Sequence, residues 1–193
     1  MAENKVQFNL KNVHYAILTE EENDGNIVCS YGESHPVRGA VSVDLAMEGE
    51  MSPFYADGVK YYVAKGNQGY SGSIELARIP DSMLANVFGM KKKPDGVIVE
   101  TVEDEVKDFA LFFQVDGDAT DTFYVFYKCS ASRPSIASQT NEESKEPQTQ
   151  TLELTISPTL DNGKIKAHTT ADAEYDIDAW VESPYGYGDA GDQ

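Results

Sequence analysis

The side chains best placed for chemistry in this sequence are three carboxylates in a short run at residues 116–121. Asp116, Asp118 and Asp121 crowd six positions, and carboxylate oxygens are preferred ligands of Ca²⁺. An EF-hand loop needs glycine at its sixth place and glutamate at its twelfth, whereas glycine is second here. We therefore interpret the segment as a hairpin turn, with adventitious cation binding as the alternative.

The other titratable residues do not form a catalytic set. Residues 103–105 (EDE) are adjacent carboxylates, but acid–base catalysis needs environments that separate their pKa values, and a chain this acidic favours a solvated loop. His14, His35 and His168 are scattered, and the motifs GxSxG, GxxxxGK[ST], GxGxxG and HExxH are absent. We expect neither an enzyme nor a bound metal or cofactor.

Charge and cysteine content narrow the classes of partner. The formal net charge of −18 disfavours binding to phosphate backbones or anionic lipids, and the only basic run, residues 91–93, is typical of a solvated turn. Cys29 and Cys129 are far apart and match no metal or disulfide framework. Without a signal peptide or an apolar stretch of roughly 18 residues, we expect a protein that stays in the cytoplasm and off membranes.

The length of 193 residues and a hydrophobic content of 40% predict one folded domain. Alternating apolar and polar residues predict six to eight β-strands, including residues 13–17, 41–48, 74–76 and 151–156. Residues 108–131 predict a hairpin whose second strand places Cys129 on its apolar face. Residues 163–170 are expected to pair with strand 151–156.

One short helix is predicted after Pro80 and Asp81. Its apolar residues fall on one face, and Gly89 can adopt the left-handed conformation that ends a helix; those residues are Met83, Leu84, Val87 and Phe88. Three stretches are predicted to be irregular: 48–69, 138–150 and the acidic end from residue 172. We divide the chain into a β domain, 1–170, with a long loop, 48–69, and a C-terminal arm, 171–193.

The order of turns and strands resembles the major tail protein family of phages with long non-contractile tails. The matching segments are residues 10–16 (LKNVHYA), 53–57 (PFYAD), 67–77 (NQGYSGSIELA), 79–81 (IPD), 133–135 (RPS) and 146–149 (EPQT). Tyr175 and Trp180 are similar to the ending of the family. The Tyr-Gly repeat beyond Pro184 departs from it.

The resemblance implies a β-sandwich or open barrel with one short flanking α-helix. Such subunits assemble as hexameric rings that stack into a hollow tube in the virion, built in the bacterial cytoplasm, through which DNA passes without specific binding. The tape-measure, tail terminator and distal tail proteins are the partners that the resemblance implies. Strand edges would be covered by neighbouring copies.

Two groups of residues are candidates for roles in such a tube. A long loop rich in aromatic residues would expose apolar surface on a monomer, which predicts inter-subunit contacts by Met51, Pro53, Phe54, Tyr55, Tyr61 and Tyr62. The opposing interpretation is that these side chains fold back onto their own core. Asp44 and Glu48, on the polar side of a predicted strand, are candidates to line the lumen and repel DNA.

A β-sandwich binding module for carbohydrates or receptors is the alternative function. Solvent-facing aromatic residues on one concave surface would favour it, and Tyr185 and Tyr187 are the candidates at the C-terminus.

Overall fold

A computed structural model gives the fold and describes residues 4–49, 51–138, 140, 147–169 and 177–187. The strands within these ranges are β1 (Gln7–Asn23), β2 (Asn26–Pro36), β3 (Ala40–Glu48), β4 (Met51–Ala56), β5 (Val59–Lys65), β6 (Gly69–Leu76), β7 (Lys91–Lys92), β8 (Ile98–Val99), β9 (Phe109–Gly117), β10 (Thr122–Ala131), β11 (Gln150–Ile156) and β12 (Lys166–His168). The helices are α1 (Asp81–Asn86) and α2 (Ile177–Glu182). The mainly β fold with a short flanking helix is confirmed, although six to eight strands was too few.

The main sheet is antiparallel and has the order β2-β1-β9-β10-β11-β6-β3, with β12 also paired to β10. The predicted hairpin of β9 and β10 is confirmed. The predicted pairing of residues 163–170 with β11 is wrong, because β10 and β6 already occupy both edges of β11. β12 instead pairs with residues 124–126 of β10, beyond the part of β10 that β11 covers.

The larger hydrophobic core lies on one face of the main sheet. It combines Leu111 of β9 with side chains of β1, β6, β10 and β11, and α1 contributes Met83 to it. Val87 and Phe88, which follow α1, are buried in the same core, as the one-sided helix pattern predicts. Gly89 has a φ of 72°, which confirms the left-handed helix stop.

A smaller core covers the opposite face of the sheet, and Trp180 of α2 packs there with Ala110, Phe112, Val125 and Tyr127. β9 is therefore buried on both faces. Cys129 is buried as predicted, but an irregularity in pairing between Phe126 and Cys129 places it in the larger core. A bulge of this kind breaks the two-residue alternation from which its face was predicted.

Two stretches predicted to be irregular contain regular structure. Within 48–69, β4 and β5 form a hairpin, because Asp57 and Gly58 both adopt positive φ, as a type I′ turn requires. Pro53 is tolerated there because a two-stranded ribbon leaves one side of each strand unpaired. In the C-terminal arm, α2 replaces the irregular structure expected of residues 177–182.

Other parts of those predictions lie outside the described residues. They are positions 139 and 141–146 of the polar stretch, residues 170–176 with Tyr175, and residues 188–193 of the arm.

Candidate assembly surfaces

The β4–β5 hairpin, here called the aromatic hairpin, presents three exposed tyrosines. The register pairs Phe54 with Tyr62 and Tyr55 with Lys60, so Tyr61 is an extra residue that bulges from β5. The side chains of Tyr55, Tyr61 and Tyr62 are 58%, 73% and 63% exposed. These three rings therefore do not fold back onto the core. For Met51, Pro53 and Phe54 the structure describes the backbone alone, which places them in β4.

The base of the aromatic hairpin is held close to the main sheet. The amide of Gln68 donates a hydrogen bond of 3.0 Å to the carbonyl oxygen of Glu48. The backbone of Gly49 passes so near Gly66 that a Cβ atom there would collide with the Gly66 carbonyl oxygen. The hairpin thus begins directly where β3 ends and β6 starts, and its own two-stranded sheet pairs with no other described strand.

The strand β3 is one of the two ends of the main sheet, and its outer edge is only partly protected, by the charges of Asp44 and Glu48 and by an irregularity in pairing between Ala40 and Ser42. Among the described strands it pairs only with β6. It contains no Pro, Lys or Arg, and Val41 and Met47 are exposed on it. Monomeric proteins commonly guard edge strands with such residues, so the open edge of this nine-residue strand is a candidate surface for pairing with another chain.

One face of the β3, β6 and β11 part of the sheet is wholly polar or small, and we call it the acidic face. Its side chains point away from the larger core and are Ser42, Asp44, Ala46, Glu48, Ser71, Ser73, Glu75, Thr151, Glu153 and Thr155. The register places Ser73 between Asp44 and Glu153. These three strands contain four carboxylates and no Lys or Arg. Asp44 and Glu48, the predicted lumen residues, are both exposed on this face.

The acidic face is also ordered by hydrogen bonds between its own side chains. The hydroxyl group of Ser42 donates to Glu75 across β3 and β6 at 3.1 Å, and the hydroxyl group of Thr149 donates to the other oxygen of Glu75. These bonds hold Glu75 flat against the sheet. The face therefore combines negative charge with short, neutral side chains, and such a surface does not attract an anionic polymer.

The carboxylates at 116–121 make contacts that stabilise the hairpin turn. The ammonium group of Lys11 lies between Asp116 and Asp121, and Asp118 accepts a hydrogen bond of 2.7 Å from the amide of Lys5. The Asp116 and Asp121 contacts raise the pKa of Lys11, while desolvation lowers it. Lys11 therefore offsets part of the negative charge of these acids, and the contacts fix the hairpin turn.

The remaining candidates for catalysis are not brought together. Asp104 accepts two hydrogen bonds of 2.7 Å from Thr101, one from the hydroxyl group and one from the amide, and these lower its pKa. His14 lies 3.0 Å from the carbonyl oxygen of Asn12, whereas His35 and His168 pack against the rings of Tyr15 and Tyr124. Within the part of the chain that the structure describes, no group of three metal-ligating side chains forms.

The segment after α2, residues 183–187, packs back onto the domain, and we call it the C-terminal latch. The Tyr187 hydroxyl group lies 2.9 Å from a carboxylate oxygen of Asp161, and its ring makes an edge contact with Tyr31 at 5.0 Å. Lys164 lies over the same ring at 4.6 Å and donates a hydrogen bond to the carbonyl oxygen of Gly186. Burial raises the pKa of Tyr187 to about 12.

Sequence reasoning missed the C-terminal latch, because acidic and glycine-rich composition suggests a detached arm. The signal that could have revealed it is the group of aromatic residues Trp180, Tyr185 and Tyr187, because a solvated tail rarely contains so many. Tyr187 is half-buried against its own domain, so it is not an open binding platform.

No protein-family model matches the chain, and no curated protein matches its sequence. Among the described helices, none is both long and apolar enough to cross a membrane.

Proposed function

We propose that this chain is a structural subunit that assembles into rings and stacked tubes, as the tail tube protein of a long-tailed phage, and that it is not an enzyme. The observation that carries the proposal is the aromatic hairpin, whose three exposed tyrosines lie outside both cores of the domain. Apolar surface of this kind, concentrated on one projecting element, is characteristic of a protein contact.

Ring formation uses the edges of the main sheet. The open β3 edge of one copy meets the β2 edge of the next, since these two strands end the sheet. Repeating this head-to-tail contact closes a ring and leaves neither end of the main sheet exposed.

The acidic face then lines the lumen. It belongs to the strands nearest the β3 edge, so edge-to-edge pairing would repeat it once per copy around the ring. Duplex DNA carries about one negative charge per 1.7 Å of axis, and a carboxylate-lined wall would give it no binding site during passage. Screening over about 8 Å at physiological salt would prevent repulsion from blocking entry.

Electron microscopy and sedimentation of the purified full chain test this function. We expect rings or tubes of uniform bore for the wild type and a folded chain that forms no tubes after deletion of residues 50–66. Replacing Tyr61 and Tyr62 by Ser should also raise the protein concentration needed for tubes, whereas the matched Tyr→Phe variant should form them normally because it keeps both rings. A wild-type chain that stays monomeric at all concentrations would contradict the proposal.

A carbohydrate-binding module is the second candidate, since exposed tyrosine rings such as Tyr61 and Tyr62 can stack on sugars. A monomer that binds a glycan array and loses binding in the Tyr→Ser variant would support this function instead.

A further inference from the structure

Exposed apolar side chains lie near both ends of β6. The aromatic hairpin starts at the Gly69 end, where Glu48 and Gly69 are paired. At the opposite end, after Leu76, lies a cavity of about 400 Å³ beside α1. β6 has eight residues, so the two features begin roughly 26 Å apart along the strand.

This cavity, here called the α1 groove, is mainly apolar. Its apolar lining consists of Ile79, Leu84, Met90, Ile98, Pro134 and Ile136. Ile136 lies at the rim and is 94% exposed. In such a lining, methionine offers an aromatic ring an adaptable surface and proline offers it a rigid one.

Charges at the two surfaces are complementary. Arg78 lines the groove with a side chain that is 79% exposed, and Glu100 lines it as well. The turn of the aromatic hairpin carries exposed Asp57, and exposed Lys60 follows it on β5. Arg78 already pairs with Asp81 and Glu100 with Arg133, so docking would add Asp57 to the first pair and Lys60 to the second. Arg78 can also lie over a tyrosine ring.

We infer that the aromatic hairpin of one copy docks in the α1 groove of the next copy along the tube, an inference that rests on the proposed function. The exposed parts of the three tyrosines, 58%, 73% and 63% of rings that bury roughly 150–250 Å² each when fully covered, supply roughly 290–490 Å². That is about half of the roughly 800 Å² that one partner contributes to a stable interface, and the rest of the hairpin would supply the remainder. Because the hairpin and the groove lie at opposite ends of the same strand, each docked copy leaves a free hairpin at one end and a free groove at the other. Such a contact is heterologous and propagates along an axis.

Complementation between two defective variants tests the contact. The hairpin variant, Tyr61→Ser with Tyr62→Ser, keeps an intact groove; the groove variant, Ile136→Glu, keeps an intact hairpin. Each variant alone should raise the critical concentration for tubes roughly 10-fold or more. Mixed together, they should form pairs of stacked units that grow no further. The intact hairpin of the groove variant can dock in the intact groove of the hairpin variant, but no other junction can form. The control is Val102→Glu, an equally exposed aliphatic position outside the groove, which should polymerise normally.

Disulfide trapping gives an independent readout. Tyr61→Cys with Ile136→Cys should yield a ladder of crosslinked subunits in assembled protein, whereas Tyr61→Cys with Val102→Cys should not. The native Cys29 and Cys129 are buried and should not compete. If Ile136→Glu assembles like the wild type, or if the Val102 pair crosslinks instead, the groove assignment is wrong while the tube function stands. If the wild type forms no rings or tubes, both proposals fail.

Discussion

The hydroxyl group of Tyr127 donates a hydrogen bond to the carbonyl oxygen of Tyr185, 2.8 Å away, and so ties the middle of β10 to the C-terminal latch. The Tyr127 ring also lies 5.5 Å from that of Tyr187. Since Trp180 stacks on Tyr185 at 5.9 Å, the latch covers the smaller core instead of trailing into solvent.

Removing this hydroxyl group should loosen the latch. We expect Tyr127→Phe to lower the free energy of unfolding by about 1 kcal/mol, the net contribution of one hydrogen bond whose acceptor is then left unpaired. Urea denaturation at low protein concentration measures the change, followed through Trp180, the only tryptophan in the sequence. Tyr62→Phe, at an exposed ring of the hairpin, is the control and should leave stability unchanged.

The raised pKa of Tyr187 predicts loss of stability in alkali. Burial keeps its phenol neutral, with a pKa of about 12 in the folded chain against about 10 in an unfolded one. Because the folded pKa is the higher, the stabilisation is complete below about pH 10 and is lost as pH rises toward 12. Unfolding free energies measured from pH 8 to 11.5 should decline less steeply in Tyr187→Phe. Identical slopes in the two proteins would contradict this role.

Gly69 marks the point where the hairpin rejoins the sheet, and it should not tolerate a side chain. Its φ of 113° is unfavourable for L residues, and a Cβ atom would collide with the carbonyl oxygen of Ile156. We expect Gly69→Ala to cost about 2–4 kcal/mol of stability. Gly58→Asn is the matched control, because its positive φ suits Asn and no atom lies within 4 Å of the added Cβ.

The sequence predicts most of the sheet because period-two alternation is strong wherever one face is buried. Leu152, Leu154 and Ile156 show this clearly, since each is buried and the residues between them are exposed. Alternation fails at β9, where burial on both faces produces a continuous apolar run, and at the bulge before Cys129. The surface roles of Tyr55, Tyr61 and Tyr62 could be suspected from composition, but their exposure depends on tertiary structure.

The β1–β2 hairpin was not predicted, although its turn has the same sequence signal as the turn of the aromatic hairpin. Asp24 and Gly25 both adopt positive φ and join β1 to β2, as Asp57 and Gly58 join β4 to β5. The Asp-Gly signal is therefore present twice, but the strands beside it are polar and lack clear alternation.

Lys128 should stabilise the fold through its contacts with two carboxylates. Its ammonium group donates hydrogen bonds of 2.8 and 2.7 Å to the two oxygens of Glu20 and lies 3.7 Å from Asp108. We expect Lys128→Met to cost about 2 kcal/mol, less than for a fully buried pair because both acids keep partial exposure. A double-mutant cycle with Glu20→Gln should recover part of this loss; additive effects would show that the two side chains do not interact.

Reversing charge on the acidic face should convert a passive wall into a binding surface. Asp44 and Glu48 are exposed on the same side of β3, and the neighbouring strands β6 and β11 supply no cation to offset them. If this face lines the lumen, tubes of Asp44→Lys with Glu48→Lys should retain DNA, and particles built from them should eject it more slowly. The added binding should weaken steeply as salt rises, since it depends on released counterions.

The control for this variant is a charge reversal that leaves the acidic face intact. Glu103 is exposed in the loop between β8 and β9, so Glu103→Lys changes net charge without touching β3. Ejection kinetics and DNA retention should stay at wild-type values in this control. Normal ejection by the Asp44 and Glu48 variant, in tubes of normal length, would show that the acidic face lies elsewhere, and the free β3 edge would then require a different neighbour.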